Sequence, residues 1–249
     1  MQRLWPPEQR SPDEIPAADL EACYAYPADR PWLRVNFVSS LDGAVTVRGS
    51  SRGLSAPADR RVMALIRSLS DVVPVGADTA LVEGYRGVKR TEVRSELRSR
   101  RGMPAVPPIA VVARRCALEP DSLLLTDTVV PPIVVTCGSA PESRRAALAD
   151  AGADVLVAGD ETVDLPAAVT ALHERGLRRI GGEGGPTLFG DLIADDLVDE
   201  LCLTMSPLLT GGDAGRIAHG APIAARGMRL ESVLHAESLL LLRYGRLRE

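Results

Sequence analysis

Gly181-Gly182-Glu183-Gly184-Gly185-Pro186-Thr187-Leu188-Phe189-Gly190 follows a short stretch, Arg178 to Gly181, that reads as a strand. It opens a helix whose apolar face is Leu188, Leu192 and Ile193. A strand that turns through glycines straight into a helix is half of a βα unit. The glycines let the backbone come close to a ligand, and the helix start offers free N–H groups and the positive end of its dipole. Such a loop suits a phosphate or pyrophosphate. It is not the G-x-G-x-x-G fingerprint and lies late in the chain, which disfavours the ordinary dinucleotide assignment to a first βα unit. Glu183 is a carboxylate in a loop otherwise made for anions. A phosphate would repel it, so it is expected to face a cationic or hydrogen-bond-donating substrate beside the phosphates.

The same alternation extends upstream. Leu33, Val35, Phe37 and Val38 make an apolar strand ending at Ser39-Ser40-Leu41-Asp42-Gly43. Ser55 is a plausible N-cap with Pro57 in the first turn, and Val62, Leu65, Ile66 and Leu69 recur at helical spacing. Asp71 to Val75 reads as a strand in which Pro74 argues for an edge position or an irregular ladder. Ile109 to Ala113, Ile133 to Cys137 and Val155 to Ala158 are further strands. Glu142 to Ala151 and Leu165 to Arg175 are helices closed by Gly152 and Gly176. Downstream of the glycine loop, Leu201 to Leu209, Leu230 to His235 and Ser238 to Tyr244 follow one another as strands with no helix between them. The expected fold is α/β: a mixed, mostly parallel central sheet flanked by helices, with antiparallel C-terminal edge strands. Residues 32–249 read as a single domain. Residues 1–31 read as an irregular Pro-rich arm in which Ala17 to Ala22 could form one helical turn.

The 249 residues suffice for one or two domains. With 29 basic against 33 acidic side chains the net charge is −4, which speaks against a basic nucleic-acid binder. Aromatic residues make up 3%, too few for base-stacking platforms. No apolar run approaches the ~20 residues of a membrane span, and no signal peptide is visible, so a cytoplasmic protein is expected. The four cysteines and three histidines lack metal-ligand spacing, and no metal is expected.

Two more segments could carry chemistry. Asp42 leaves the carboxyl end of the first long strand, where α/β sheets bind ligands, although Asp-Gly is also an ordinary turn. Gly76-Ala77-Asp78-Thr79-Ala80-Leu81-Val82-Glu83-Gly84-Tyr85 is a second strand-to-helix junction, with Asp78 and Thr79 in the first turn. The nearby Arg67, Arg86, Lys89 and Arg90 read in isolation as solvated surface.

Taken in order, S-S-L-D-G at 39–43, G-x-x-T-x-x-x-E at 76–83 and G-G-E-G-G-P-T-L at 181–188 resemble the pyrimidine reductase family of riboflavin biosynthesis, the reductase half of the bifunctional deaminase–reductases. The resemblance covers about residues 32–245 and implies a dihydrofolate-reductase-like fold, NADPH as cofactor and a homodimer. The zinc deaminase signature H-x-E…P-C-x-x-C is absent, so the resemblance implies a stand-alone reductase. Thr79 and Glu83 match positions lining the cofactor, and Gly185 to Asp191 match the loop around its phosphates, in line with the reading of Gly184, Gly185, Pro186, Thr187 and Leu188 above. Val47 and Gly53 fall at further cofactor positions, though Gly53 stands where many members carry Trp. Arg114 and Arg115 lie where the adenosine 2′-phosphate is expected. Glu183 matches a substrate-side carboxylate, while Ser51, Arg67 and Arg90 match ribose-phosphate positions, with Lys89 a substitute for Arg90. Two departures stand out: Ala44 replaces the Lys or Arg that usually follows Asp-Gly, and Gly84-Tyr85 replaces an acidic-Pro pair.

The reaction implied is reduction of 5-amino-6-(5-phosphoribosylamino)uracil, or its 2,5-diamino pyrimidinone analogue, to the ribitylamino form. Asp42 and Glu183 are the candidates for polarising or protonating the substrate, which a carboxylic acid does at neutral pH only if burial raises its pKa. Because Ala44 removes a contact to the pyrimidinone, reduction of dihydrofolate or another pterin on the same site is one alternative. A non-catalytic NADP-binding protein is the other. Leu239 to Leu242 fit a strand buried on both faces, by its own core or by a partner.

Overall fold

The computed structural model describes residues 1–6 and 14–247. The chain runs through β1 (Gln2–Trp5), α1 (Ala17–Cys23), β2 (Trp32–Ser39), a 3₁₀ turn (Ser51–Gly53), α2 (Pro57–Leu69), β3 (Val73–Gly76), α3 (Ala77–Val82), a second 3₁₀ turn (Arg90–Glu92) and α4 (Ser95–Arg100). It continues through β4 (Ile109–Val112), α5 (Leu123–Thr126), β5 (Ile133–Thr136), α6 (Glu142–Asp150), β6 (Asp154–Val157), α7 (Leu165–Glu174), β7 (Arg179–Gly182) and α8 (Pro186–Ala194). The end is β8 (Glu200–Met205), β9 (Met228–Ala236) and β10 (Leu239–Arg246).

Strands lie in the order β1-β9-β10-β8-β2-β7 in one sheet and β3-β4-β5-β6 in another. The second sheet and the β8-β2-β7 part of the first are parallel, whereas β1, β9, β10 and β8 pair antiparallel. This is the expected mixed sheet with an antiparallel edge. A parallel bridge between Val72 and Ile180 joins the two sheets. Across the join, Gly181 N donates to Val72 O at 3.1 Å and Glu183 N to Pro74 O at 3.0 Å. Gly76 N returns a bond to Gly184 O at 3.0 Å.

Pro74 stands in β3, the edge strand of the four-stranded sheet, as its missing N–H suggested, with β4 on one flank and an irregular join to β7 on the other. It accepts from Glu183 and gives nothing back, and the ladder is irregular there, as the proline requires. Asp71 strengthens the join by accepting from the Arg179 backbone N (2.8 Å) and from its guanidinium, Nη2 to Oδ1 at 2.6 Å.

Side chains alternate between two faces of β3–β6. Ala110, Ile133, Val135 and Leu156 pack with α7 and α8 through Leu165, Ala168, Leu172, Leu188, Phe189 and Leu192. Val73, Val75, Ile109, Val111 and Val134 pack with Ala80 of α3 and Leu148 of α6. A third cluster joins α1 and α2 to Cys202, Leu234, Leu239 and Leu241 of the antiparallel edge.

That third cluster corrects the picture of an irregular arm. Gln2–Trp5 pairs with β9, and Ala17–Cys23 forms two turns of helix. Leu20, Tyr24 and Tyr26 are buried, with Leu20 at 0% exposure. Prolines limit regular structure only where they stand, and on either side of Pro16 the chain docks through buried Ile15 and Leu20. The α2 cap also differs: Ala56 is the N-cap, and Ser55 Oγ instead donates to Asp59 Oδ2 at 2.6 Å. Pro57 stands at the first helical position as expected.

Candidate active site

A cleft of about 780 Å³ opens along the carboxyl ends of β2, β3 and β7. Its floor is Asn36, Phe37 and Val38 of β2, and one wall is the 3₁₀ turn with Asp59, Arg60, Met63 and Arg67 of α2. The opposite wall carries Asp78, Thr79, Val82 and Glu83 after β3 and Glu183 to Pro186 after β7.

The glycine loop is shaped by what lies against it. A Cβ on Gly185 would sit 1.9 Å from Thr79 Oγ1, so only glycine fits while α3 and α8 start side by side. Gly184 holds φ +114°, outside the range of ordinary side chains. Gly185 is the N-cap of α8 and Pro186 its first residue, with Phe189 stacked on Phe37 at 5.0 Å. Two helix starts, α3 and α8, therefore converge on one end of the cleft. Their free backbone N–H groups suit the phosphates of a dinucleotide. The residues present fit such a cofactor: a cradle that any Cβ would fill, with Thr79 and Glu83 on its rim.

Glu183 sits at the centre in a closed set of bonds. Arg67 Nε donates to Oε1 at 2.6 Å and Nη2 to Oε2 at 2.7 Å, a two-pronged pair that leaves the Glu183 side chain 2% exposed. Tyr85 Oη donates to Oε2 at 3.1 Å. Arg67 Nη1 reaches Glu92 Oε2 at 3.2 Å, and its own carbonyl accepts from buried Arg98 at 3.1 Å. Burial pulls the Arg67 pKa down, but Glu183 more than offsets it, so the guanidinium titrates above its usual value. Burial, then the Glu183 carboxylate, pushes the Tyr85 phenol well up, keeping it a neutral O–H donor.

Glu83 faces the turn across the cleft mouth. It accepts from Ser51 N (2.8 Å) and Ser50 Oγ (3.0 Å), and Arg52 Nη2 donates to its carbonyl at 2.8 Å. Burial raises its pKa, but the bonds from Ser51 and Ser50 and the nearby Arg52 charge outweigh this and hold it below the usual range. Val47 bridges to Ser50 and packs behind Gly53, where a Cβ would meet Val47 Cβ at 2.9 Å. Neither Val47 nor Gly53 lines the cleft, and a larger side chain at Gly53 has no room unless Val47 moves.

The structure thus brings Ser51, Arg67, Thr79, Glu83, Glu183, Gly184, Gly185 and Pro186 together. Other expected residues lie elsewhere. Asp42 is exposed and outside the cleft lining. Ser40 Oγ, Gly211 N (2.7 Å) and Thr210 N (3.1 Å) donate to its carboxylate, which they hold down to about 2. A group that acidic is no proton donor at neutral pH; it ties the turn after β2 to the loop after β8. Ala44 is buried and closes that turn through bonds with Ser40, so the cleft-lining neighbours are Val45 and Thr46. Arg67 is spent on Glu183 rather than presented to a phosphate. Arg90 is exposed and outside the lining, and Lys89 Nζ bonds Asp127. Arg114 and Arg115 are exposed beyond the end of β4, with Arg114 Nε donating to Glu161 O at 3.0 Å. Thr187 and Leu188 lie just inside α8, Leu188 facing the core.

The sequence reading did not name Arg52 or Arg60 and took Arg86 for solvated surface, yet all three line the cleft beside Arg67. Arg52, Arg60 and Arg86 carry solvent-exposed heads on its rim. Arg60 lies seven residues, about two helical turns, before Arg67 on α2, a spacing that marks a shared helix face. Tyr85 was noticed only as a departure, and no local pattern connects it to Glu183, 98 residues away.

A model of the family described as RibD C-terminal domain matches residues 31–241. The chain is similar to the 2,5-diamino-6-ribosylamino-4(3H)-pyrimidinone 5′-phosphate reductase of Archaeoglobus fulgidus, 35% identical over 185 residues, covering 74% of this chain and 83% of the relative. The protein of the same name from Methanothermobacter thermautotrophicus is 31% identical over 206 residues, covering 81% and 91%. Among solved structures, a pyrimidine reductase-like protein from Corynebacterium diphtheriae superposes with a TM-score of 0.77 at 25% identity, covering 88% of this chain and 93% of that one.

Proposed function

The chain belongs to the RibD C-terminal domain family, and from that premise we propose that it reduces a ribosylamino-pyrimidinone 5′-phosphate to the ribitylamino form with NADPH. It is an oxidoreductase of riboflavin biosynthesis, as its relatives are by name. The observation that carries the assignment to this cleft is the pairing of two features: the glycine cradle at the start of α8 and the clamped Glu183 beside it. A nicotinamide cofactor supplies a hydride when bound.

The chain's own residues hold and orient. Backbone N–H groups at the start of α8, with Thr79, receive the cofactor's phosphates. Glu83 fixes the turn carrying Ser51. Arg52, Arg60 and Arg86 place positive charge on the rim, where a ribose 5′-phosphate would meet them. Net reduction opens the sugar: the bond from the anomeric carbon to the ring oxygen breaks, the ring oxygen takes a proton, and the carbon takes the hydride. Since Asp42 stands outside the cleft, solvent at its open mouth is the source of that proton in this proposal.

Cofactor oxidation followed by absorbance, with the pyrimidinone phosphate and dihydrofolate as parallel substrates, tests the reading. Turnover of the first alone is expected. Consumption of dihydrofolate alone, or of neither, overturns it. Arg60→Met should raise KM for the phosphorylated substrate about tenfold and leave the KM for cofactor unchanged, the size of one charge-assisted contact. NADPH over NADH, with Arg114 or Arg115 meeting the 2′-phosphate, is part of the proposal, and Arg114→Ala with Arg115→Ala should erase that preference. A cytoplasmic homodimer completes it, with light scattering as the check on assembly.

A further inference from the structure

The chain contains one asparagine, Asn36, and places it in the floor of the cleft. It stands between Val35 and Phe37 in β2, where a short amide is a poorer strand former than its β-branched and aromatic neighbours. Arg34, two residues back and on the same face, shows what a polar side chain needs in this strand. It is 0% exposed and bonds Glu200 and the Tyr24 carbonyl. Asn36 has no such partners. Among the described residues nothing bonds its amide, and neither amide atom is sealed from solvent, so both groups open into the cleft that the residue lines. We infer that Asn36 holds the pyrimidinone ring of the substrate by its lactam edge, Oδ1 accepting from the ring N–H and Nδ2 donating to the adjacent ring carbonyl. The inference rests on the proposed reductase function and names the side chain that orients the ring.

Strand alternation decides which ligand meets this amide. Phe37 points to the opposite face, where it stacks on Phe189 and lies 3.7 Å from where a Cβ on Gly184 would stand, against the glycine cradle. Asn36 is in register with Cys202 of β8, which packs in the cluster with α1 and α2. Its amide therefore lies on the α2 side, the side of the cleft wall that carries Asp59, Arg60, Met63 and Arg67. The cofactor cradle is on the Phe37 side and the phosphate-seeking Arg60 on the Asn36 side, so the ring between them meets Asn36. A 4(3H)-pyrimidinone carries an N–H directly beside a C=O, and a primary amide carries the same two groups in complementary order. Asn36 is the one amide in the cleft lining. A carboxylate there can accept from the ring N–H but repels the ring oxygen, and a guanidinium can donate to that oxygen but accepts nothing. Ala44, buried in the turn after Asp42, has no side-chain donor to offer the carbonyl.

Two variants test this. Asn36→Leu keeps the size of the side chain and removes both groups, while Asn36→Asp keeps the acceptor and puts a second acceptor where the donor was. Steady-state kinetics give KM for the pyrimidinone phosphate, and fluorescence titration gives the Kd of NADPH. Calorimetry on the NADPH complex gives the affinity of 2,6-diamino-4(3H)-pyrimidinone, a ring without a sugar, and of ribose 5-phosphate, a sugar without a ring. Asn36→Leu should raise KM and weaken the ring about tenfold, the loss of two neutral bonds. It should leave ribose 5-phosphate and NADPH within about twofold and the melting temperature no lower, since the amide holds nothing in the fold. Asn36→Asp should weaken the ring at least as much, because a carboxylate then faces the ring carbonyl. An unchanged KM in either variant, an equal loss of ribose 5-phosphate, or a loss confined to NADPH, whose carboxamide carries the same pair of groups, would overturn the inference and leave the reductase assignment standing. Absence of pyrimidinone turnover by the wild type would remove the reductase reading, and the ring titration, which needs no turnover, reports on Asn36 separately. Asn36→Asp is isosteric and decides the matter if Asn36→Leu fails to fold.

Discussion

Asp42 and Glu183 look alike as sequence: each is a lone carboxylate beside glycine at the end of a strand. Their surroundings give them opposite work. Glu183 meets a guanidinium and a phenol in the cleft wall, whereas Asp42 meets two hydroxyls and two backbone N–H groups in the open. Asp42→Asn should therefore keep kcat and KM within about twofold while weakening the tie to Thr210 and Gly211. The pH dependence follows from the direction of the shift. The folded Asp42 titrates at about 2, below the ordinary carboxylate value, so its contribution is present above that ordinary value and fades as the pH falls toward about 2. Melting temperatures of the wild type and Asp42→Asn followed against pH should converge at the acid end and differ above it. Sequence alone could not separate the two residues, because what distinguishes them is supplied by Arg67, Tyr85, Thr210 and Gly211, all remote in the chain.

At the scale of elements, the glycine loop was legible because strand, turn and helix signals coincide within ten residues. Strands β2, β4 and β5 and helices α2, α6 and α7 were legible for the same reason, their periodicity being local. The arm was not. Its prolines are conspicuous, while the partner that makes Gln2–Trp5 a strand is β9, more than two hundred residues on. Pro74 was legible: β3 is the edge of its sheet and its join to β7 is irregular, since a proline forbids a donated bond but not an accepted one. The junction of α3 with α8 yields a prediction. Gly185→Ala would drive a methyl into Thr79 Oγ1, and about tenfold or greater loss of cofactor affinity is expected by fluorescence titration, with a lower melting temperature. Adding Thr79→Ala should restore the melting temperature, since it removes the obstructing oxygen, but not the affinity, since the cradle has lost a polar group. Recovery of both would show that Thr79 only fills space.

For the molecule as a whole, residues 1–6 and 14–26 are part of the fold rather than an appendage. Tyr24 supplies a carbonyl to Arg34 Nη1 at 2.8 Å, and Arg34 is 0% exposed, paired with Glu200. Deleting residues 1–26 removes that acceptor and uncovers Leu234, Leu239 and Leu241. A fall in melting temperature of about 10 °C or more is expected, given ~1.5–3 kcal/mol for each large apolar side chain withdrawn. A truncated protein melting with the full chain would show that the N-terminal cluster is dispensable.

The proline-interrupted join between the sheets lies directly beneath the cleft, with α3 rising from one side and α8 from the other. Any molecule gripped at once by Thr79 and by the start of α8 straddles that join like a stitch. Part of its binding free energy then appears as cooperativity between the halves: saturated protein should unfold in one transition whose temperature climbs with ligand concentration. The weakest line in the sheet and the strongest reason for the two halves to stay together are the same place.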